Sequence, residues 1–143
     1  MPARALDAGA AATMTELDLA RVLCRLDDIG HGGARGVVLA HRGWPLRGLV
    51  VRLANGELRG YLNWCPHRGH PLNLRPHEFL TPDGAALQCR SHGAIFTKDT
   101  GACIAGPCNG RSLRPVPLQI VDQYVLLSQS VDIDQLAASI DRS

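Results

Sequence analysis

Aromatic residues are scarce in this sequence, and long apolar or basic runs are absent from it. Phe, Trp and Tyr together make up 4% of the 143 residues, so the hydrophobic core must be mostly aliphatic. No apolar run approaches the roughly 20 residues that a membrane helix needs. Asp7, Glu16 and Asp18 interrupt any signal-peptide core near the start. We therefore expect no membrane association and a location in the cytoplasm.

The charge balance and the motifs exclude several classes of function. A formal net charge of +2, with no basic run to concentrate it, argues against nucleic acid as a partner. We find no nucleophile motif, no phosphate-binding glycine loop and no two-histidine, one-carboxylate iron site. The sequence therefore predicts no catalytic residues, and we do not expect the chain to be an enzyme by itself.

The cysteines do not form a disulfide framework by count. There are five of them, and an odd number without a secretory signal is not typical of a disulfide-stabilised fold. We expect Cys24 to be a core residue of an apolar strand. Cys103 and Cys108 are interpreted as small buried thiols beside a glycine-proline turn, with a bridge or a second metal site as the alternatives.

Two short segments each carry one cysteine and one histidine: Cys65-Pro66-His67 and Cys89-Arg90-Ser91-His92. Four such ligands are enough to close a metal site. A mononuclear zinc site takes these residues in a tetrahedron, and a two-iron, two-sulfide cluster takes them with both histidines on one iron. Zinc fingers usually pair cysteine with cysteine and histidine with histidine. The mixed segments therefore favour the iron–sulfur interpretation.

The two segments resemble the first two cluster-binding loops of a Rieske domain. The shared features are Cys-x-His followed by Cys-x-x-His, together with Pro66, Gly69 and Gly93. Residues 100–108 resemble the third loop, whose proline covers the cluster. The similarity extends from about Leu23 to Leu127, which is most of the chain.

The resemblance implies one [2Fe-2S] cluster with four protein ligands. One iron is expected on Cys65 and Cys89, and the other on the Nδ1 atoms of His67 and His92. Because Nδ1 binds iron, each Nε2 can face solvent or a partner protein. Electrons are then expected to enter and leave through the two histidines.

Departures from the family pattern indicate the kind of Rieske protein. His70 and Ser91 occupy the positions that a disulfide joins in the respiratory type. Ala94 and Phe96 occupy the positions whose hydroxyl groups donate hydrogen bonds to sulfur in the high-potential type. Without these donors the reduced cluster is harder to form. We expect a potential of roughly −150 mV rather than about +300 mV.

Short alternating apolar segments, separated by glycine and proline turns, predict an all-β fold. Residues 49–53 alternate with one apolar face, Asn55-Gly56 predicts a hairpin turn, and 58–64 would return as a strand that ends at Cys65. Further strands are expected at 36–40, 113–121 and 124–127.

The resemblance implies a Rieske-like antiparallel β sandwich with a small cluster-binding subdomain. We expect residues 1–14 to form a disordered arm and 15–143 a single domain, with the cluster bound within about 63–110. Asp132 is predicted to cap a short C-terminal helix. One face of that helix would carry Ile133, Leu136, Ala137 and Ile140.

The function implied by the resemblance is one-electron transfer by a soluble ferredoxin-like component of an oxygenase or other oxidoreductase system. Its partners would be redox proteins, namely a reductase and an oxygenase. One alternative is a small accessory subunit of a larger oxidoreductase, similar to the Rieske-like subunit of assimilatory nitrite reductase. Another is a zinc-stabilised binding module, which would be colourless, whereas an iron–sulfur protein is red-brown.

Overall fold

The computed structural model describes residues 19–42, 44–66, 71–90, 93–108 and 110–138. The expected N-terminal arm, 1–14, lies outside these ranges. Within them the chain forms nine β-strands, a 3-10 helix at Leu26–Asp28 and an α-helix at Ile133–Ala138. The strands are β1 Val22–Arg25, β2 Ala34–Arg42, β3 Trp44–Arg52, β4 Leu58–Leu62, β5 Leu87–Gln88, β6 Ile95–Phe96, β7 Cys103–Ala105, β8 Leu118–Val121 and β9 Tyr124–Leu127.

The strands form three antiparallel sheets of three strands each within the described ranges. Their strand orders are β1-β9-β8, β2-β3-β4 and β5-β6-β7. The first sheet joins the beginning of the described chain to its last two strands, while the third and smallest sheet contains the short strands around the second ligand segment. The expected all-β fold with a small cluster-binding part is confirmed.

Some strand boundaries differ from the sequence expectation for identifiable reasons. The strand expected at 113–121 begins only at Leu118, because Pro115 and Pro117 cannot donate ladder hydrogen bonds. The strand expected at 36–40 extends over Ala34–Arg42, with a register irregularity between Val38 and Ala40. Its partner β3 likewise starts well before the alternating segment.

The β3–β4 hairpin is the one that the sequence predicted. The Leu53 amide donates to the Glu57 carbonyl at 2.7 Å, and the Gly56 amide donates to the Leu53 carbonyl at 2.8 Å. Gly56 has a φ of 93°, a left-handed conformation that glycine adopts without steric cost. The turn therefore fixes the register of the strand that leads to Cys65.

Two hydrophobic cores share β3 as a common wall. Leu49 and Val51 belong to the core on the side of the small sheet, and Leu46 and Val50 belong to the core formed with β9 and the C-terminal helix. Successive side chains of a strand point to opposite faces, so one strand can serve both. The predicted alternation of residues 49–53 is confirmed, since Leu53 also packs against the first core.

The C-terminal helix is capped as predicted. The Asp132 carboxylate accepts a hydrogen bond from the Gln135 amide at 3.1 Å. Leu136 is buried, and Ile133 and Ala137 pack against the same core, while Ile140 lies outside the described residues. None of the described helices is long and apolar enough to span a membrane.

Cys103 and Cys108 form a disulfide bond in the third loop. The expectation of two free thiols was therefore wrong. Their Cα atoms are 6.0 Å apart, within the range that a disulfide bridges, and both residues are buried. The bond closes a short ring of chain that contains Gly106 and Pro107, because the chain turns back after β7 and brings Cys108 close to Cys103.

The third loop contacts both predicted ligand segments. Gly106 lies so close to the second segment that a Cβ atom on it would be 2.8 Å from the Ala94 Cα atom. On the other side of the loop, Arg111 Nη1 donates to the Pro66 carbonyl at 2.7 Å. The Arg111 amide also donates to the Cys108 carbonyl. The third loop, together with Arg111 just after it, thus connects the chain at the two segments that no disulfide joins directly.

The close contact between Gly106 and Ala94 leads to a prediction about stability. Gly106→Ala must relieve both a left-handed φ of 92° and the contact with Ala94, so we expect it to lower the free energy of unfolding by about 3 kcal/mol. Gly110→Ala is the matched control, since its φ is 89° but nothing lies within 4 Å of the added Cβ. It should cost only about 1 kcal/mol. Equal denaturant midpoints for the two variants would contradict this.

The disulfide generates a second stability prediction. Replacing both Cys103 and Cys108 by alanine should lower the free energy of unfolding by about 2 kcal/mol, as chain entropy predicts for so short a ring. Addition of a phosphine reductant during thermal unfolding should lower the midpoint of the wild type and leave that of the double variant unchanged. Identical wild-type midpoints with and without reductant would show that the two thiols are not joined.

Candidate metal centre

Cys65 is placed by the end of the β3–β4 hairpin. Just before it, the Asn63 amide donates to the Arg47 carbonyl of β3 at 3.1 Å, and the Trp64 amide donates to the Leu62 carbonyl at 2.9 Å. The first bond keeps the chain in register past the end of β4, and the second turns it toward the small sheet. Cys65 is fully buried. Its thiol is therefore held by a rigid element and is screened from water.

Cys89 begins a tight turn directly after β5. Its amide donates to the Ala94 carbonyl at 2.8 Å, and the Gly93 amide donates back to the Cys89 carbonyl at 2.8 Å. Gly93 has a φ of 76°, which suits glycine and closes the turn. Cys89 is also fully buried. The two reciprocal hydrogen bonds therefore fix the backbone on both sides of the second ligand segment.

The structure brings the two predicted cysteine ligands into the same hydrophobic core. Cys65 and Cys89 belong to one cluster of buried residues, and neither is part of a disulfide. His67 and His92, the other two predicted ligands, lie outside the described residues. In the part of the chain that the structure describes, no group of three or more His, Cys, Asp or Glu residues is arranged to hold a metal ion.

Asn63 is a structural residue of the site that the sequence analysis did not single out. It is the one buried polar side chain among the described residues, with 4% of its surface exposed. Its Oδ1 accepts from the Leu72 amide at 2.8 Å, and its Nδ2 donates to Asn73 Oδ1 at 2.9 Å. The signal was an amide residue directly after an apolar strand and two positions before a ligand cysteine. Its role is to tie the end of β4 to the chain that follows the first segment.

The two ligand segments are also joined by the backbone. The Arg90 amide donates to the Leu72 carbonyl at 2.8 Å. Leu72 is itself fully buried in the core that contains both cysteines. A single residue therefore accepts a bond from the second segment, donates one to Asn63 and fills the space between them.

The described residues fit an iron–sulfur cluster of the kind that the sequence predicted. Two buried thiols in one apolar cluster are the donors that iron in such a cluster requires. Ala94 and Phe96 are fully buried in the same cluster and carry no hydroxyl group. Neither side chain can donate a hydrogen bond to a sulfur atom. The low reduction potential inferred from these two residues stays a prediction.

The remaining cysteine and two of the other histidines lie outside this core. Burial, followed by the charge of Asp28, raises the pKa of Cys24 to about 11, so its thiol stays protonated in the second core as expected. His31 and His77 are exposed. His77 nevertheless accepts a hydrogen bond at Nδ1 from the Gly36 amide at 3.1 Å.

Comparison with solved structures relates this fold to ferredoxins. The ferredoxin of Sphingomonas yanoikuyae B1 aligns with a TM-score of 0.57 and 26% identity, over 76% of this chain and 96% of that protein. The ferredoxin of carbazole 1,9a-dioxygenase from Nocardioides aromaticivorans IC177 aligns with a TM-score of 0.56 and 21% identity, over 75% and 94%. The terminal oxygenase of the same enzyme and organism aligns with a TM-score of 0.60 and 21% identity, over 78% of this chain but 30% of that protein.

The family assignment comes from the sequence match over the greater part of the chain. A comparison with curated proteins found no match. Residues 19–126 match the Rieske [2Fe-2S] domain, a family that binds one [2Fe-2S] cluster. This range contains both buried cysteines, both predicted histidine ligands and the whole third loop. The chain belongs to the Rieske [2Fe-2S] domain family.

Proposed function

We propose that this protein is a Rieske-type ferredoxin that passes single electrons to an oxygenase or a related oxidoreductase. The observation that carries the proposal is the family match over 19–126, combined with an alignment that covers 96% of a ferredoxin. The same fold covers only 30% of a terminal oxygenase. The described chain therefore corresponds to an electron carrier rather than to the oxygen-activating part of such an enzyme.

We propose that Cys65, His67, Cys89 and His92 hold the cluster, which accepts and releases one electron at a time. Support comes from the burial of both cysteines in one core and from the hydrogen bonds that fix their backbone. The protein's contribution is to exclude water from the two thiolates and to hold their loops in place. The rest of the domain, proposed to extend over 15–143, supplies the scaffold.

The proposed place of action is the cytoplasm, with a reductase as electron donor and an oxygenase as acceptor. The two ligand thiols must be reduced to take up iron, which a reducing compartment favours. The Cys103–Cys108 disulfide is compatible with this location, because both residues are buried and shielded from attack by a dithiol. Fractionation of producing cells would test the location directly.

The experiment that tests this function measures electron delivery by the purified holoprotein. The protein should be red-brown, contain about two irons per chain and show a one-electron voltammetric wave. After chemical reduction, it should be reoxidised by a terminal oxygenase that has an oxidised Rieske centre. A colourless protein that contains zinc would overturn the proposal. So would a red-brown protein that copurifies only as a subunit of a larger complex and delivers no electrons alone.

Ligand substitution should separate His67 and His92 from the other histidines. His67→Ala and His92→Ala should each lose most of the bound iron and the visible absorption, because no substitute ligand is predicted nearby. His31→Ala is the control, since His31 is exposed and has no ligand spacing. Iron analysis and absorption spectra report both outcomes, and an unchanged spectrum in either ligand variant would contradict the assignment.

Adding the missing hydroxyl groups should raise the reduction potential. Ala94→Ser and Phe96→Tyr each introduce a donor at a fully buried position in the core of the two cysteines. A net hydrogen bond of about 1 kcal/mol to the reduced form corresponds to about 40 mV for one electron. Ala85→Ser, on an exposed turn, is the control and should leave the potential unchanged. Voltammetry should give the wild type a reduction potential near the low end of the Rieske range, and a wild-type potential near the high end would contradict the expectation.

A further inference from the structure

A groove of about 720 Å³ runs along the face of the protein next to the ligand core. Its walls come from β1, β2 and β3 on one side and from residues 71–77 on the other. Residues 71–77 follow the first predicted ligand loop along the chain, and Leu72 in this segment accepts the hydrogen bond from Arg90 of the second ligand segment. The groove therefore lies beside described residues that flank the first ligand segment, Asn63 before it and Pro71 after it.

The charge of the groove is of one sign. The described residues of its lining include Arg35, Arg47 and Arg75, as well as His77, and none of them is an aspartate or glutamate. No guanidinium group of these three arginines makes a hydrogen bond or ion pair to another residue of the described ranges. Each comes from a different part of the chain, so the sequence shows no basic run. Only the fold places these three residues in the lining of one groove.

Several arginines outside the groove are engaged by carboxylates. Arg59 pairs with Glu57 at 3.1 Å and Arg90 pairs with Glu78 at 3.7 Å. Arg59 also lies in a second groove of about 500 Å³, whose lining contains Glu57 and Asp99 as well. That groove has mixed charge, whereas the described lining of the groove of Arg35, Arg47 and Arg75 carries positive charge without a carboxylate.

The wall of the groove is held in shape by two polar contacts. His77 has a φ of 63°, a left-handed conformation that is uncommon for histidine, and its ring nitrogen Nδ1 accepts the Gly36 amide. Asn73 is held by the buried side chain of Asn63. Because β2 is an edge strand and His77 already occupies the Gly36 amide, addition of a strand from a partner is blocked at that position. Recognition in the groove must therefore use side chains.

The lining also decides between classes of ligand. The groove is much larger than one inorganic anion, and none of the described residues of its lining is a Phe, Tyr or Trp on which a nucleic acid base could stack. Leu74 lies in the lining with 71% of its surface exposed, beside Val22 and Leu23 of β1. Arginines mixed with exposed apolar side chains are typical of protein interfaces, where the guanidinium group pairs with carboxylates.

We propose that the groove of Arg35, Arg47 and Arg75 is the docking surface for a carboxylate-rich segment of a redox partner protein. The positive charges of these three lining residues would steer such a segment toward the protein. The redox identity of the partner rests on the proposed function. The groove itself, its charge and its preference for carboxylates stand apart from that function.

The test is direct binding of a fluorescently labelled, acetylated hexaglutamate peptide to the purified holoprotein, followed by fluorescence anisotropy at low and high salt. We expect binding that weakens as salt rises. Arg47→Gln should weaken it about threefold to fivefold, and the triple variant with Arg35→Gln and Arg75→Gln roughly tenfold or more. The control Arg114→Gln removes the same charge from an exposed residue outside the groove and should change affinity less than about twofold.

Each other outcome overturns the proposal in a distinguishable way. Equal loss in Arg47→Gln and Arg114→Gln would mean that net charge alone attracts the peptide. Equal binding of a hexalysine peptide would remove the charge argument, and competition by inorganic phosphate at equimolar concentration would identify a small-anion site instead. Visible spectra and circular dichroism must match among all variants. Because binding is measured without electron transfer, loss of the ferredoxin function in the same preparation would leave this result intact.

Discussion

The structure depends on holding two cysteines, 24 positions apart in the chain, buried in one hydrophobic core. Neither loop can do this alone, since each is short and leaves backbone polar groups to satisfy. The bond from the Arg90 amide to the Leu72 carbonyl joins the two segments, and the third loop contacts both of them through Gly106 and Arg111. Packing and hydrogen bonds thus take the place of the disulfide that residues 70 and 91 cannot form.

Local patterns in the sequence were enough for much of the fold, and they are the source of the proposed ligand set. The Asn55-Gly56 turn, the alternation along 49–53 and the Asp132 cap are local signals, because neighbouring residues alone determine them. The cysteine and histidine spacing is local too, and the cysteine half of it is seen in the shared core. The strand expected from residue 113 begins only at Leu118, so the prolines determine where this strand starts and the apolar pattern does not.

Features that depend on distant contacts could not be predicted. The Cys103–Cys108 bond requires the turn geometry that brings two Cα atoms to 6.0 Å, and spacing in the sequence does not specify it. Asn63 acquires its role only when the chain after the first loop returns to it. The positive groove is the clearest case. Residues 35 and 47 come from neighbouring strands and residue 75 from a connecting segment, and only the fold puts all three in one lining.

Alternate side chains of β3 pack into the two different hydrophobic cores of the protein. Leu49 and Val51 face the metal-binding side, while Leu46 and Val50 face the helix and the opposite sheet. A change of side-chain volume at Leu49 or Val51 alters the packing around the cysteines. A change at Leu46 or Val50 alters the packing of the supporting scaffold. Substitutions on one face of β3 can therefore alter the surroundings of the cysteines, while substitutions on the other face alter the stability of the scaffold.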